Sequence, residues 1–343
     1  MSQLLYKRLI PGSMALSLLF VAACGEEGAD DATGAEEEGS DTEDGGEEIE
    51  EVDLVLNWFP KSQQGGFFAA QSQGYFEENG LGVNIEPGGP EVSSVQMVSS
   101  GSTEFGLAHA DQILIAIDQG ADLVALSASL QNSPQAMMFH EGEDIEDFED
   151  MNGRTAYVES GIPYWDYLNE HYDLSGVDEQ SYSGEHATFA NDTESVSQSF
   201  VTSEPYFMER EGIDTETLLV SESGFDPYNV VLFVEREYLD ENEEAVAGFM
   251  EAFEDGWDYY AEEPEEVNEV IHEADENIAL DELEFETETQ EEFVYEGDAA
   301  EHGVGHMDVE RWSELIEQLE KIDVIGEGIE AEEIFTTDYL SGS

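Results

Sequence analysis

The stretch that decides the fold is Val52-Asp-Leu-Val-Leu-Asn-Trp58, followed by Gly65-Gly-Phe-Phe-Ala-Ala70 and its continuation to Glu78. The first segment has the composition of a buried strand, and the second has that of a helix with apolar and small residues. Outward from this pair the pattern predicts strands at 81–85, 104–108 and 123–127, separated by helices at 91–100 and 111–119. This alternation predicts an α/β chain with a largely parallel sheet and helices on both faces.

The same alternation starts again further along the chain. It predicts strands at 154–158, 199–202, 218–221 and 230–234, helices at 162–171 and 204–211, and then helices at 240–261, 264–277 and 307–321. Ligands of open α/β sheets bind at the carboxyl ends of the strands. Two such units therefore predict two lobes with a cleft between them.

The N-terminus carries an export signal. Residues 1–23 contain Lys7 and Arg8, no acidic side chain, and an apolar stretch shorter than the roughly 20 residues of a membrane-spanning helix. The signal ends in Val21-Ala-Ala-Cys24, which resembles a lipobox, so we expect Cys24 to be acylated and to become the new N-terminus. Cleavage near Ala23 that leaves a free thiol is the alternative. Cys24 is the chain's only cysteine, which excludes disulfides within the chain.

The segment that follows Cys24 has the composition of a spacer. Residues 25–51 contain 14 acidic side chains among Gly, Ala, Ser and Thr, and Ile49 is their only large apolar residue. Such a segment buries too little apolar surface to offset its ordering entropy, and its like charges extend it. We expect residues 24–51 to form a disordered acidic tether.

Acidic residues dominate the whole chain, with 85 Asp and Glu against 8 Lys and Arg, for a formal net charge of −77. Loss of residues 1–23 removes Lys7 and Arg8, which leaves six basic residues and a net charge of −79. Nucleic acid is excluded as a partner because phosphate recognition requires clustered Lys and Arg. Charge spread so evenly indicates a halophilic source, and it fits an acidic site for cationic ligands less well.

Several motifs occur in order: Leu54-Val-Leu-Asn-Trp-Phe-Pro60, Gln64-Gly-Gly-Phe-Phe-Ala-Ala70, Gly74-Tyr-Phe-Glu-Glu-Asn-Gly-Leu81, Pro87-Gly-Gly-Pro90 and Ser203-Glu-Pro205. Together they resemble the NMT1/THI5-like solute-binding proteins of ABC importers (SsuA/ThiY type), and the likeness extends from Val52 to Tyr260. The resemblance implies a periplasmic-binding-protein type II fold, with two α/β lobes, a ligand cleft and two crossovers. Lobe 1 would comprise residues 52–130 and 235–343, and lobe 2 would comprise residues 131–234.

The resemblance also implies a role. The chain would be a monomeric receptor without cofactor, anchored to the outer face of the cell membrane by lipid on Cys24. It would present a small solute to an ABC permease and its ATPase, and it would not be an enzyme. A pyrimidine-precursor enzyme on the same fold is the competing interpretation. Related eukaryotic synthases use a cysteine-rich motif, and this chain has a single cysteine.

In lobe 1, candidate ligand residues follow the predicted strands. Trp58 and Phe59 either stack on a planar ring or pack between the lobes. Gln64 can hydrogen-bond a ligand where many members of the resembled family carry a nearby His, and the following Gly65-Gly66 would let a ligand approach backbone N–H groups. His109 serves either as a ligand contact or as a structural hydrogen-bonding residue.

Further candidates lie at the first crossover and in lobe 2. Gln131 either hydrogen-bonds the polar edge of a ligand or stabilises the hinge between the lobes. Ser160 precedes a helix whose backbone amides suit an anion or a carbonyl, and Tyr164 opens that helix and can stack. Glu204 matches a position where family members often contact polar ligand groups, although a capping role is the alternative. Tyr228 is expected at the rim of the cleft.

The preferred ligand class is a thiamine pyrimidine precursor, such as formylaminopyrimidine or hydroxymethylpyrimidine, because the family resemblance coincides with Trp58, Phe59 and Tyr164. Riboflavin or another flavin-like ring is the next alternative. Sulfonate, taurine or nitrate comes third, since an anion receptor should offer a cation. Between residues 52 and 234 the only cations are Lys61, Arg154 and Arg210.

His302 and His306 have the spacing of a zinc-binding pair on a helix. Gly303 and Gly305 disfavour a helix there, so we expect no metal site.

The charge balance generates a prediction about salt. Raising chloride from about 0.1 M to about 1 M shortens the Debye length from about 10 Å to about 3 Å. We expect the melting temperature to rise over this range because acidic side chains repel one another less. Differential scanning calorimetry measures it, and a melting temperature that is independent of salt would contradict the halophilic interpretation.

Overall fold

The computed structural model describes residues 49–159, 161–182 and 186–342. The predicted signal at 1–23, Cys24 and all but the end of the predicted tether lie outside these residues. The end of the tether differs from the prediction, because strand β1 begins at Glu50. Glu50 and Glu51 pair with Leu81 and Gly82, so the sheet recruits two acidic residues assigned to the spacer.

Two five-stranded sheets form the framework, one in each lobe. Sheet 1 of lobe 1 has the order β2-β1-β3-β10-β4, and sheet 2 of lobe 2 has the order β7-β6-β8-β5-β9. The strands are β1 (Glu50–Val55), β2 (Leu81–Glu86), β3 (Phe105–Ala108), β4 (Leu123–Leu130), β5 (Gln135–His140), β6 (Thr155–Val158), β7 (Asp178–Ser181), β8 (Val196–Phe200), β9 (Thr215–Leu219) and β10 (Asn229–Glu235).

Each sheet contains one strand that runs against its neighbours. Strand β10 is antiparallel to β3 and β4, and strand β5 is antiparallel to β8 and β9, whereas β1 pairs with β2 and β3 in parallel. Both reversed strands directly follow a crossover between the lobes. The strand predicted at 230–234 as the end of lobe 2 therefore lies inside sheet 1, where β3 and β4 flank it.

Helices cover the sheets, and α8 to α14 follow the last strand. The helices are α1 (Gly65–Gln73), α2 (Tyr75–Glu78), α3 (Ser94–Ser99), α4 (Ala110–Asp118), α5 (Pro163–His171), α6 (Ala187–Asn191), α7 (Glu204–Arg210), α8 (Arg236–Glu241), α9 (Glu243–Glu262), α10 (Pro264–Ala274), α11 (Leu280–Tyr295), α12 (Asp298–His302), α13 (Val309–Lys321) and α14 (Ala331–Ile334). Among the described residues, no helix is both long and apolar enough to cross a membrane.

Two crossovers connect the lobes, and Asp226 joins them. Its carboxylate accepts hydrogen bonds from Asn132 Nδ2 at 2.6 Å and Ser133 N at 2.7 Å, both in the first crossover. Arg311 of α13 donates to the same carboxylate at 3.2 Å and to the Asp226 carbonyl at 3.0 Å. A single acidic side chain therefore ties the two connecting strands to a C-terminal helix.

Helices α1 and α9 cross at glycines, which brings their backbones into close contact. A Cβ atom on Gly256 would lie 2.2 Å from the Gly66 carbonyl oxygen, and Cβ atoms on Gly65 and Gly66 would meet the rings of Tyr260 and Trp257. Gly65 and Gly66 are buried. The side of each glycine that faces α9 is therefore used for helix packing, and ligand approach to their backbone N–H groups stays a prediction.

We predict that Gly256→Ala destabilises the fold by about 1–3 kcal/mol, because an added methyl group overpacks this crossing. Gly248→Ala in the same helix is the matched control. Its Cβ would lie 3.1 Å from the Asn79 carbonyl oxygen, and a gain in helix propensity of up to about 1 kcal/mol offsets that contact. Urea denaturation measures both variants, and equal stabilities would argue against a tight crossing.

Candidate functional site

The carboxyl ends of the strands in the two sheets face one another, and side chains meet across the cleft. His109 follows β3 of lobe 1, and Phe200 ends β8 of lobe 2. Their rings are 6.1 Å apart in an edge-on arrangement. Lys61 Nζ also lies 3.4 Å from Ser203 Oγ, just beyond β8. These two contacts define the region in which a ligand can touch both lobes.

Trp58 and Phe59 form an exposed aromatic pair at the mouth of this region. They are 40% and 42% exposed, with ring centroids 5.5 Å apart. The Phe59 ring lies over Gly89, where a Cβ would be 3.1 Å from the ring, and a Cβ on Gly88 would be 2.3 Å from the Leu56 carbonyl oxygen. Glycines at both positions let the turn after β2 pack against the end of β1. The pair is available for stacking on a planar solute.

Gln64 is fully buried, and both ends of its amide are engaged inside lobe 1. Its Nε2 donates to Asn57 Oδ1 at 2.9 Å, and its Oε1 accepts from the Lys61 N–H at 2.9 Å. Gln64 therefore positions the turn between β1 and α1. Asn57, which sequence reasoning did not single out, lies nearer the strand end than Gln64.

His109 presents a buried nitrogen at the floor of the cleft. Its Nδ1 is enclosed and has no hydrogen-bond partner among the described residues. Burial lowers the pKa of His109. The Asp111 carboxylate and the Asn229 amide act in the opposite direction, but burial has the larger effect, so the imidazole is neutral at pH 7. Gln112 caps the helix by accepting a hydrogen bond from the His109 N–H at 3.1 Å.

The side-chain amides of Gln131 and Asn229 lie at the same edge of sheet 1 as His109, where β3 and β4 end. Gln131 Nε2 donates to the carbonyls of Ala128 and His306, each at 3.0 Å, and its buried Oε1 has no partner among the described residues. Asn229 pairs in register with Leu130, and its side chain interacts with the His109 ring, although its buried Oδ1 makes no hydrogen bond of regular geometry among the described residues. Sequence reasoning missed Asn229, although a polar residue that opens an apolar strand is a usable signal. His109, Gln131 and Asn229 together offer polar atoms that a ligand can satisfy.

Tyr228 belongs to the hinge, where burial removes it from the rim that we expected. It is 2% exposed, and its hydroxyl accepts a hydrogen bond from the Asp308 N–H at 2.9 Å. The Arg311 guanidinium lies 4.0 Å from the centre of its ring. These contacts fix Tyr228 between the second crossover and α13.

Two of the lobe 2 candidates are engaged within that lobe. Tyr164 is 3% exposed and donates to Gln198 Oε1 at 2.9 Å, so its ring packs inside lobe 2 and is not presented for stacking. Glu204 accepts hydrogen bonds from the Phe200 N–H at 2.7 Å and from the Tyr182 hydroxyl at 3.4 Å. Burial and the Glu204 charge raise the pKa of Tyr182, which keeps the phenol protonated. Ser160 lies outside the described residues.

Cations near the cleft are neutralised. Lys61 Nζ contacts Glu282 at 2.9 Å and also pairs with Glu286. Burial alone would lower the pKa of Lys61, but these two carboxylates raise it, so the ammonium stays charged. Within the described residues every Lys and Arg contacts an acidic side chain or a histidine; the other five are Arg154, Arg210, Arg236, Arg311 and Lys321.

His302 and His306 lie on either side of the end of α12, with their rings stacked 4.3 Å apart. No group of three or more His, Cys, Asp or Glu side chains in the described residues is arranged to hold a metal ion.

The two sheets, their crossovers and the facing strand ends define a two-lobed α/β solute-binding fold. The chain belongs to the NMT1/THI5-like family, whose model matches residues 61–267. It is similar to the formylaminopyrimidine-binding protein of Halalkalibacterium halodurans, at 24% identity over 95% of this chain and 97% of the relative. It also resembles the sulphonate-binding protein SsuA of Escherichia coli, with a TM-score of 0.65, 12% identity and coverage of 86% of this chain and 94% of that one.

Enzymes match over a shorter stretch. The 4-amino-5-hydroxymethyl-2-methylpyrimidine phosphate synthase THI11 of Saccharomyces cerevisiae is 30% identical over 38% of this chain and 39% of its own length. The relative that spans nearly the whole chain and the structural neighbour are both binding proteins. The expectations of family, fold and a binding function agree with these findings.

We predict that Tyr228→Phe lowers the free energy of unfolding by about 1 kcal/mol, because the Asp308 N–H loses its buried acceptor. Solute affinity should not change, since the hydroxyl does not face the cleft. Urea denaturation and calorimetry measure the two quantities. Loss of affinity with unchanged stability would instead support the expectation that Tyr228 contacts the solute at the rim of the cleft.

Proposed function

We propose that this chain is the solute receptor of an ABC importer and that it captures a small, uncharged heteroaromatic solute. The preferred ligands are thiamine pyrimidine precursors such as formylaminopyrimidine or hydroxymethylpyrimidine. One observation carries the proposal: the exposed Trp58–Phe59 pair occupies the same set of strand ends as the unpartnered polar atoms of His109, Gln131 and Asn229. That combination suits a ring with a polar edge.

The polar atoms match an aminopyrimidine in their hydrogen-bonding roles. Gln131 Oε1 and Asn229 Oδ1 are amide oxygens that can accept hydrogen bonds from an exocyclic amino group. Neutral His109 carries one donor and one acceptor nitrogen, and a ring nitrogen of the solute can pair with the donor. The 24%-identical relative named for formylaminopyrimidine supports this choice of ligand.

Alternatives differ in charge and size. A flavin ring can stack on Trp58 and Phe59 in the same way but needs a longer cleft. Sulfonate, taurine or nitrate is disfavoured, because Lys61 is already neutralised by Glu282 and Glu286. A pyrimidine-precursor synthase is disfavoured because the chain's single cysteine is Cys24.

We also propose the cellular setting. Cys24 is the lipid-bearing residue after removal of 1–23, and the acidic tether lets the monomeric receptor reach its permease from the outer face of the membrane. A diacylated cysteine satisfies the need for more than one chain in stable anchoring. Lobe 1 consists of residues 52–130 together with the chain from β10 onward, and lobe 2 lies between them. The acidic composition suits a halophilic source.

A ligand panel tests the proposal directly. Full-length Cys24→Ser protein, which we expect to be released without lipid, is screened in molar salt against aminopyrimidines, riboflavin, taurine and nitrate. Thermal shift followed by calorimetry identifies the bound class. Binding by an aminopyrimidine alone supports the proposal. Binding by the anions, or turnover of a pyrimidine precursor, would overturn it.

We predict that Trp58→Ala weakens solute binding by about 1–3 kcal/mol, as expected when a ring loses an aromatic stacking partner. Ile49→Ala is the control, because Ile49 is similarly exposed at 48% but lies just before the amino end of β1. Calorimetry compares the two variants. Equal affinities for both would remove Trp58 from the site.

A further inference from the structure

Helix α11 is fixed to lobe 1 through the turn between β1 and α1. Ser62 Oγ donates to the Leu283 carbonyl at 3.0 Å, and Gln290 Nε2 donates to the Ser62 carbonyl at 2.9 Å. The Ser62 N–H also donates to the buried Glu286 carboxylate at 3.3 Å. Three hydrogen bonds therefore connect one serine to two turns of the helix, which makes α11 a rigid part of lobe 1.

The beginning of the same helix meets α7 of lobe 2. Asp281 forms an ion pair with Arg210, and the rings of Phe285 and Tyr206 are 5.6 Å apart. Arg210 Nη1 also donates to the Tyr206 hydroxyl at 2.6 Å. Residues at positions 281 and 285 lie on one face of a helix, so α11 presents a charged residue and an aromatic residue together to lobe 2.

Lys61 completes the contact between the lobes from the cleft side. Its ammonium is bound by Glu282 and Glu286 of α11 and reaches Ser203 Oγ of lobe 2 at 3.4 Å. Its side chain is only 15% exposed. The two carboxylates hold the ammonium in place, so the group that approaches lobe 2 is preorganised.

The segment of lobe 2 that meets α11 also carries candidate ligand residues. Glu204 is the first residue of α7, and its carboxylate holds the N–H of Phe200, whose ring faces His109. The position of α7 on α11 therefore determines where Phe200 and Glu204 stand relative to the floor of lobe 1.

We propose that the face of α11 that carries Asp281 and Phe285 is a docking surface for α7, which holds the cleft closed over the solute and slows solute release. Ser203, Tyr206 and Arg210 are positioning residues on lobe 2 that act through this contact. The effect on release depends on the proposed solute-binding function, whereas docking of α7 on α11 is a property of the chain by itself.

Two variants weaken the contact while leaving Lys61 with its buried carboxylates. Arg210→Gln removes an ion pair whose side chains are 56% and 60% exposed, and Phe285→Ala removes the aromatic contact. Arg236→Gln is matched to the first, since it breaks a similarly exposed pair with Asp122. Leu280→Ala is matched to the second, since it shortens a 44% exposed side chain on the same helix.

Solute release is measured by stopped-flow tryptophan fluorescence at the lowest salt at which the chain is folded. We expect Arg210→Gln to raise the dissociation rate by about two- to fivefold, as for an exposed ion pair. Phe285→Ala should raise it by about two- to tenfold, as for loss of an aromatic pair. Melting temperatures should match those of the controls, and association should not become slower, because weaker docking leaves the cleft open for a larger fraction of the time.

A second readout needs no solute. Spin labels at Glu78→Cys of α2 and Glu209→Cys of α7, both exposed, report the separation of the lobes in full-length Cys24→Ser protein by pulsed electron paramagnetic resonance. We expect the docked separation in the wild-type background and a longer one in Arg210→Gln and Phe285→Ala.

The two readouts separate the two proposals. If no solute of the panel binds but the variants lengthen the label separation, the docking surface is supported and the proposed function is not. If solute binds and both variants behave like their controls, the docking surface is overturned and the proposed function stands. A wild-type chain that shows only the longer separation also overturns docking.

Discussion

The scarcity of cations constrains this structure more than any other feature. Only six Lys and Arg residues lie in the described part of the chain, and most of them join segments that are far apart in sequence. Lys61 pairs with Glu286, 225 positions away, and Arg311 reaches Asp226, 85 positions away. The first link attaches the C-terminal helices to lobe 1, and the second ties both crossovers together. In the described part of the chain, these cations therefore act mainly as structural cross-links.

Much of the fold could be predicted from sequence because apolar periodicity marks its buried elements. Strands β3, β4 and β10 are largely apolar, and their predicted positions match the structure within a few residues. Helix α11 was missed because its sequence, Leu280-Asp-Glu-Leu-Glu-Phe-Glu-Thr-Glu-Thr-Gln-Glu-Glu-Phe-Val-Tyr295, is acidic on nearly every side and shows no apolar stripe. Its buried face includes Glu282, Glu286 and Gln290, which pack because Lys61 and Ser62 satisfy them. Periodicity of apolar residues cannot reveal such a helix.

The sequence predicted the location of candidate site residues only where those residues directly follow a strand. Trp58, Phe59 and His109 follow strands of sheet 1, and the sheet carries them to one edge. Tyr228 was misplaced because its environment is created by Arg311 and Asp308, about 80 residues later in the chain. Long-range contacts of this kind leave no local signature. Ligand contact by the predicted residues is still a prediction, and binding measurements decide it.

Salt connects the stability of the chain to closure of its cleft. At about 1 M salt the Debye length is about 3 Å, so an exposed pair such as Arg210–Asp281 contributes little. Burial shields Lys61 between its carboxylates, and charge screening does not weaken the contact of Tyr206 with Phe285. Next to this contact, Glu288, Glu291 and Glu292 line a cavity of about 520 Å³ beside Val201 of lobe 2. Their mutual repulsion opposes compaction at low salt, where screening is weak. The conditions that stabilise the acidic surface are therefore the conditions in which the buried and aromatic contacts between the lobes are sufficient for closure.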